Sequence, residues 1–204
     1  METKSRHITK KITEKGNQLY PVFLKLHELN VLLVGAGNVG LEKLNSLLVN
    51  SPEAKITIVA PVIKEELRTM LAAHPLCKII QRSFEQSDLL DKDLVILATD
   101  NSELHKEIKQ MTKEKRILIN VADTPDLCDF YLGSIVQKGN LKVAISTNGK
   151  SPTIAKRVKE IIAELIPEEI DELLNNLEQV RKKIDGSFED KVKQLNELTK
   201  TLVE

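Results

Sequence analysis

Glycines spaced to cradle phosphates, and polar groups set just beyond apolar runs, are the residues here whose types and spacing suit chemistry. Gly35, Gly37 and Gly40 form a GxGxxG turn, with Asn38 and Val39 between the last two glycines. In such a turn the first glycine permits the tight bend, the second lets backbone approach a pyrophosphate, and the third lets a helix pack closely on its strand. Unpaired N–H groups and the dipole at that helix's N-terminus favour negative charge. The same spacing also serves as a turn needed only for packing. Asp123, in Asn120-Val121-Ala122-Asp123-Thr124-Pro125, is the best candidate for a general base, although Asp-Thr-Pro is also good turn chemistry. Ser146-Thr147-Asn148-Gly149-Lys150-Ser151-Pro152 offers hydroxyls, a flexible Asn-Gly and a lysine before a helix, a set suited to receiving a carboxylate. Lys150, Lys156 and Arg157 either add a local positive field there or are solvated helix charges. Thr99 and Asp100 either line the edge of a bound cofactor or, with Asn101, cap a helix.

These groups need elements to hold them, and the pattern supplies a doubly wound α/β sheet. Val31–Val34, Lys55–Ala60, Lys78–Gln81, Leu94–Ala98 and Ile117–Val121 are apolar, largely β-branched runs, as expected of strands buried on both faces of a parallel sheet. Helical stretches separate them, including 63–73 and 101–114. Ligands in such a fold bind beyond the carboxyl ends of the strands, where the glycine turn, Ala60–Val62, Thr99-Asp100 and Asp123 all fall. After Pro125 the pattern changes. Tyr131–Val136 and Leu141–Ser146 read as a β-hairpin turning at Lys138-Gly139-Asn140. A helix starting at Ser151-Pro152 follows, then two more separated by Asp185-Gly186-Ser187, the last carrying Phe188, Val192, Leu195 and Leu202. A small hairpin and three single-striped helices need a partner surface, so dimerisation through this half is expected.

The second strand lacks one expected feature. An NAD-binding unit usually places Asp or Glu about 20 residues past the glycines to hold the ribose, but here the strand ends Val59-Ala60-Pro61-Val62. Either no dinucleotide binds, or backbone near Pro61 and Val62 holds the adenosine.

Composition narrows the function classes. The 204 residues carry 30 Lys+Arg against 30 Asp+Glu, so no global field draws the chain to nucleic acid or to a membrane. No apolar run approaches a membrane span, and the stretch 1–18, charged throughout, lacks the apolar core of a secretory signal. Cys77 and Cys128 stand far apart in no metal-ligand spacing, which fits a reducing, cytoplasmic setting. His7, His27, His74 and His105 form no spaced pair and read as surface or packing residues, so no resident metal is expected.

The ordered set Tyr20-Pro21-Val22-Phe23-Leu24, Val34–Gly40, Ala98-Thr99-Asp100, Asn120–Asp123 and Ala144–Pro152 resembles the siroheme synthase dehydrogenase and chelatase family over nearly all of the chain after its first residues. The resemblance implies a homodimer in which an NAD-binding Rossmann domain (20–125), a dimerisation region (126–166) and a helical C-terminal domain (167–204) follow the charged N-terminal tail (1–19). It implies NAD-dependent oxidation of precorrin-2 to sirohydrochlorin, with ferrous iron as a further substrate in some members. It assigns the essential aspartate to Asp123, cofactor contacts to the glycine turn, Asn38, Val39, Pro61 and Val62, and the serine-rich segment to Ser146, Thr147, Asn148 and Gly149. The family also tends to lack the ribose carboxylate. Two departures stand out: Glu42 precedes Lys43 where the family often has a basic pair, and Asn148 replaces a common glycine, a change Asn tolerates because it can adopt a left-handed turn. The methyltransferase domain fused to some members is not expected here. A Rossmann module that senses NAD without catalysis accounts for the glycine turn and the helices but leaves Asp123 and Ser146–Pro152 unexplained. A dehydrogenase for another small substrate lacks a histidine or lysine acid at any strand end.

Overall fold

The computed structural model describes residues 16–200. Residues 1–15 of the expected tail, and Leu202 of the last expected helix, lie outside them. Five parallel strands, β1 (Asn30–Ala36), β2 (Lys55–Ile63), β3 (Lys78–Ile80), β4 (Leu94–Leu97) and β5 (Leu118–Val121), lie in the order β3-β2-β1-β4-β5. The chain winds outward from β1 in both directions, a Rossmann-type arrangement whose strand order reverses between β1 and β4.

Alternation along β1 explains why its apolar run is unbroken. Val31 and Leu33 face Leu44, Leu47 and Leu48 of α1 (Asn38–Asn50) and Leu67 of α2 (Glu65–Leu71), whereas Leu32 and Val34 face Ile108 of α3 (Ser102–Lys115) on the other side. Each such side chain taken fully out of water contributes roughly 1.5–3 kcal/mol, so both faces of the sheet are strongly held.

Two boundaries differ from the sequence expectation. Strand β2 does not stop at Ala60 but continues to Ile63: its pairing with β1 jumps from Val34↔Val59 to Ala36↔Ile63. The extra residues, Pro61 among them, are carried as an irregularity in the ladder, where a missing N–H is tolerated. The hairpin's first strand, β6 (Ser134–Lys138), begins after Tyr131 and Leu132. The preceding residues are held beside β5 instead: Asp129 N–H donates to the Ile119 carbonyl (2.8 Å) and Asn120 Nδ2 to the Phe130 carbonyl (2.8 Å).

The chain divides into two units, one reaching to Leu132 with the short segment Thr147–Ser151, the other comprising Gly133–Ser146 and everything from Pro152 on. In the second, β6 pairs antiparallel with β7 (Leu141–Ile145), followed by α4 (Pro152–Leu165), α5 (Ile170–Lys183) and α6 (Phe188–Leu198). Asp171 of α5 accepts from both the backbone N–H and side chain of Asn140 in the hairpin turn, at 2.7 and 2.8 Å, and these bonds hold its carboxyl below the usual range. Ser187 and Asp190 form a reciprocal cap that starts α6. Among the described hydrophobic residues of this unit only Val136 and Ala155 are buried, while Ile154, Ile161 and Leu165 on α4 are exposed. No helix among the described residues is long and apolar enough to cross a membrane.

Candidate cofactor and active site

Sterics dictate the glycine turn. Gly35 adopts φ = 104°, and a Cβ there or at Gly40 would be driven into backbone carbonyls, of Ala98 and of Gly35 respectively. These two glycines let β1, β4 and α1 approach one another. Gly37 is different: a Cβ there would meet nothing within 4 Å, so its lack of a side chain leaves open space at the N-terminus of α1. The first turn of α1 has no acidic residue to compete for its N–H groups. Leu41 N–H is the first to bond back, to the Gly37 carbonyl at 2.9 Å, and the N–H groups before it have no partner within the helix. Open space facing unpaired donors at a helix N-terminus fits a pyrophosphate.

Beside this turn, hydrogen bonds bring the ends of β4 and β5 into line with β1. Ala98 N–H donates to the Val34 carbonyl (2.8 Å) and Ala122 N–H to the Leu97 carbonyl (2.9 Å). The three strand ends enclose a cavity of about 420 Å³, at the point where the strand order reverses. Its walls include Gly37, Asn38, Val39, Thr99, Asp100 and Asp123, so the structure gathers six of the residues singled out from sequence. Gly35 and Gly40 stand behind the wall as packing positions. Pro61 and Val62 are exposed at the end of β2 and do not line this cavity, nor do Ser146–Lys150. In that segment Asn148 (φ = 55°) and Gly149 (φ = 73°) both take the left-handed conformation, Lys150 N–H donates to the Thr147 carbonyl (3.1 Å) and Ser151 N–H to Thr147 Oγ1 (3.2 Å). Lys150 is exposed, and Arg157 pairs with Glu160 at 2.8 Å on the exposed surface of α4.

Asp123 occupies a turn in which Thr124 N–H reaches back to the Val121 carbonyl at 3.4 Å. Its φ of 56° lies in the region that favours glycine or asparagine, its side chain is exposed, and among the described residues its carboxylate has no hydrogen-bond or ion-pair partner. The base of the turn is secured by Cys128, whose sulfur lies 3.2 Å from both the N–H and the carbonyl oxygen of Val121. Burial pushes that thiol up from its usual range, so it stays protonated and able to donate.

Ser102, His105, Ala122 and Thr124 also line the cavity and were not singled out as site residues. Asn101 caps α3 by accepting from Leu104 N–H (3.0 Å). Asn101, not Asp100, is thus the cap, which leaves the Asp100 side chain in the cavity wall. Among the described residues no group of three or more His, Cys, Asp or Glu side chains is arranged to hold a metal ion.

Residues 22–134 match a family model described as putative NAD(P)-binding, and residues 138–165 one described as sirohaem biosynthesis protein central. The chain is 33% identical over 171 residues to a siroheme synthase of Thioalkalivibrio sulfidiphilus and 35% identical over 171 residues to one of Pseudoalteromonas atlantica, covering 84% of this chain in each case. It spans only about a third of the length of these relatives, 34% and 36%. Among solved structures, SirC, a precorrin-2 dehydrogenase, superposes with a TM-score of 0.69 at 26% identity, covering 88% of this chain and 89% of that one.

Proposed function

Because the chain belongs to the putative NAD(P)-binding family and continues into the sirohaem biosynthesis central segment, we propose that it oxidises precorrin-2 to sirohydrochlorin with NAD. The observation that carries this reading is Asp123: an exposed carboxylate, without a partner among the described residues, on a left-handed turn lining the same cavity as the glycine turn. Folding does not call for an aspartate there, since glycine or asparagine would serve the turn at least as well.

NAD, when bound, supplies a hydride acceptor. The residues that would hold it are Gly37, Asn38 and Val39 at the pyrophosphate, with Thr99 and Asp100 along the cavity wall and the backbone near Pro61 and Val62 at the adenosine. Oxidation of the macrocycle removes a hydride and a proton, and Asp123 takes the proton. The short loop Ser146-Thr147-Asn148-Gly149-Lys150, with its left-handed Asn148 and Gly149 and exposed Lys150, receives carboxylates of the tetrapyrrole. Where ferrous iron is a further substrate, its entry displaces two pyrrole protons, and Asp123 is again the base. The exposed Ile154, Ile161 and Leu165 of α4 support a homodimer in which a second copy covers them. The two free thiols, Cys77 and Cys128, suit a reducing cytoplasm.

The test is anaerobic incubation with precorrin-2 and NAD, followed by visible absorbance and NADH formation, with ferrous iron added afterwards. Sirohydrochlorin appearing only with NAD is the expected result, and faster iron insertion than in Asp123→Ala would add the chelatase. Measurable NAD binding without any spectral change would overturn the enzymatic reading in favour of an NAD-sensing module. Sedimentation of the chain as a monomer at micromolar concentration would overturn the homodimer.

A further inference from the structure

His105 is 4% exposed, yet it forms part of the cavity wall. It lies on the buried stripe of α3 with Ile108 and Thr112, a position where an apolar side chain would satisfy packing. A buried imidazole is costly unless its polar atoms are bonded. Its Nε2 stands 2.9 Å from the hydroxyl oxygen of Thr99, a half-buried residue just past the end of β4 that lines the same cavity. The two residues are therefore joined inside the wall, and Thr99 is the more exposed of them.

A threonine hydroxyl has one proton and two lone pairs and rotates among staggered positions. Engagement with Nε2 removes that freedom. If Nε2–H donates, the hydroxyl proton is left to point elsewhere; if Nε2 accepts, the lone pairs are left. Either way the remaining proton or lone pairs are confined to the two other staggered positions of the hydroxyl. We propose that His105 is a positioning residue that fixes the Thr99 hydroxyl for a hydrogen bond to NAD in this cavity. The proposal rests on the cofactor reading above and adds to it a residue that acts only through another. The competing explanation runs in the opposite direction: Thr99 is there merely to satisfy a histidine that packs α3.

The two explanations separate in a double-substitution cycle read by NAD affinity, with calorimetric titration of the full chain. Thr99→Val and His105→Leu are each expected to weaken NAD about 3–10-fold, the usual worth of one hydrogen bond. The double variant should be no weaker than Thr99→Val alone, because His105 has nothing left to position. His105→Gln, whose amide nitrogen reaches about as far as Nε2, should return to within about twofold of the unsubstituted chain. Losses that add in the double variant, or a His105→Leu protein that binds NAD as tightly as the original, overturn the proposal. So does a His105→Gln protein as weak as the leucine variant while its melting temperature is unchanged. Failure of the unsubstituted chain to bind NAD overturns the cofactor reading itself, which distinguishes the two failures. Should His105→Leu not fold, the side-chain nitrogen resonances of His105 give an answer without any change at that residue. The Nε2 signal should move on NAD addition in the original chain and stay in place in Thr99→Val, and an equal movement in both overturns the role.

Discussion

The turns that close β1 and β5 face one cavity but are built on opposite terms. At the first, neighbours dictate the residue: Gly35 and Gly40 have backbone where a Cβ would be, and no other amino acid fits without moving strands. At the second, the left-handed backbone would accept glycine or asparagine, yet the chain places there an exposed carboxylate with no partner among the described residues. One turn is explained by packing, the other is not. In the function proposed above, the difference divides the work of the site: the glycine turn would shape a surface for a ligand, and the Asp123 turn would present a reactive group to it.

The largest expected effect breaks the second turn chemically while leaving the first intact. Asp123→Ala should lower turnover by about 10²–10⁴-fold, the range for loss of a general base, with NAD affinity changed less than twofold or so. Asp123→Asn, which keeps the left-handed backbone, should lose turnover to a similar degree. If the asparagine variant retains activity, the proton is taken elsewhere.

How far each turn could be anticipated from sequence follows from the same contrast. The GxGxxG spacing was legible because its cause is local sterics, repeated wherever a strand, a turn and a helix pack this closely. The five strands were legible because their apolar runs reflect burial on both faces. Asp123 was singled out by its place at a strand end, but its left-handed φ, and a carboxylate without a partner among the described residues, are three-dimensional facts that Asp-Thr-Pro does not encode. The extension of β2 through Pro61 was hidden because proline ordinarily argues against a strand interior, and only the bulge beside β1 accommodates it. The residues before β6 misled for a related reason: Tyr131 and Leu132 have strand-like side chains, but hydrogen bonds from Asp129 and Asn120 hold the segment against β5. His105 was read as a surface or packing residue and is indeed buried on α3, but a lone histidine on a helix carries no sequence signal for its partner six residues earlier.

A second pair of substitutions sharpens the first half of the comparison. Gly40→Ala sets a methyl against the Gly35 carbonyl and should destabilise the fold by about 1–3 kcal/mol or more, measured by thermal or urea denaturation. Gly37→Ala meets no protein atom within 4 Å, so stability should barely change while NAD binding weakens about tenfold. Equal effects on stability at the two positions would mean that packing alone explains the whole turn.

A control away from both turns separates stability from binding. Arg82 grips Asp88 through two hydrogen bonds, at 2.8 and 2.7 Å, in the connection between β3 and β4. That guanidinium holds the Asp88 carboxyl below its usual range against the opposing effect of burial. A carboxyl with a lowered folded-state pKa stabilises the fold above its unfolded pKa, and that stability is lost as pH falls through the lower folded value. Asp88→Asn should therefore melt a few degrees lower at pH 7, and the two melting curves should converge below about pH 4. NAD affinity at pH 7 should be unaffected; a parallel loss of affinity would tie this connection to the cavity.

The smallest effect is the most telling about the Asp123 turn. A left-handed backbone costs an L-residue roughly 1–2 kcal/mol, with aspartate toward the low end because its short polar side chain can bond locally. Glycine removes that cost but returns about 0.5–1 kcal/mol through the extra freedom of its unfolded chain. Asp123→Gly should thus leave the protein as stable or more stable by about 0.5 kcal/mol, a rise of about 1–2 °C for a chain of this size. The same variant should be as inactive as Asp123→Ala. Stability gained where activity is lost is the mark of a residue retained against the preference of its own backbone. A loss of 1 kcal/mol or so would instead mean that the aspartate side chain braces its own turn, and the contrast between the two turns would then be one of degree.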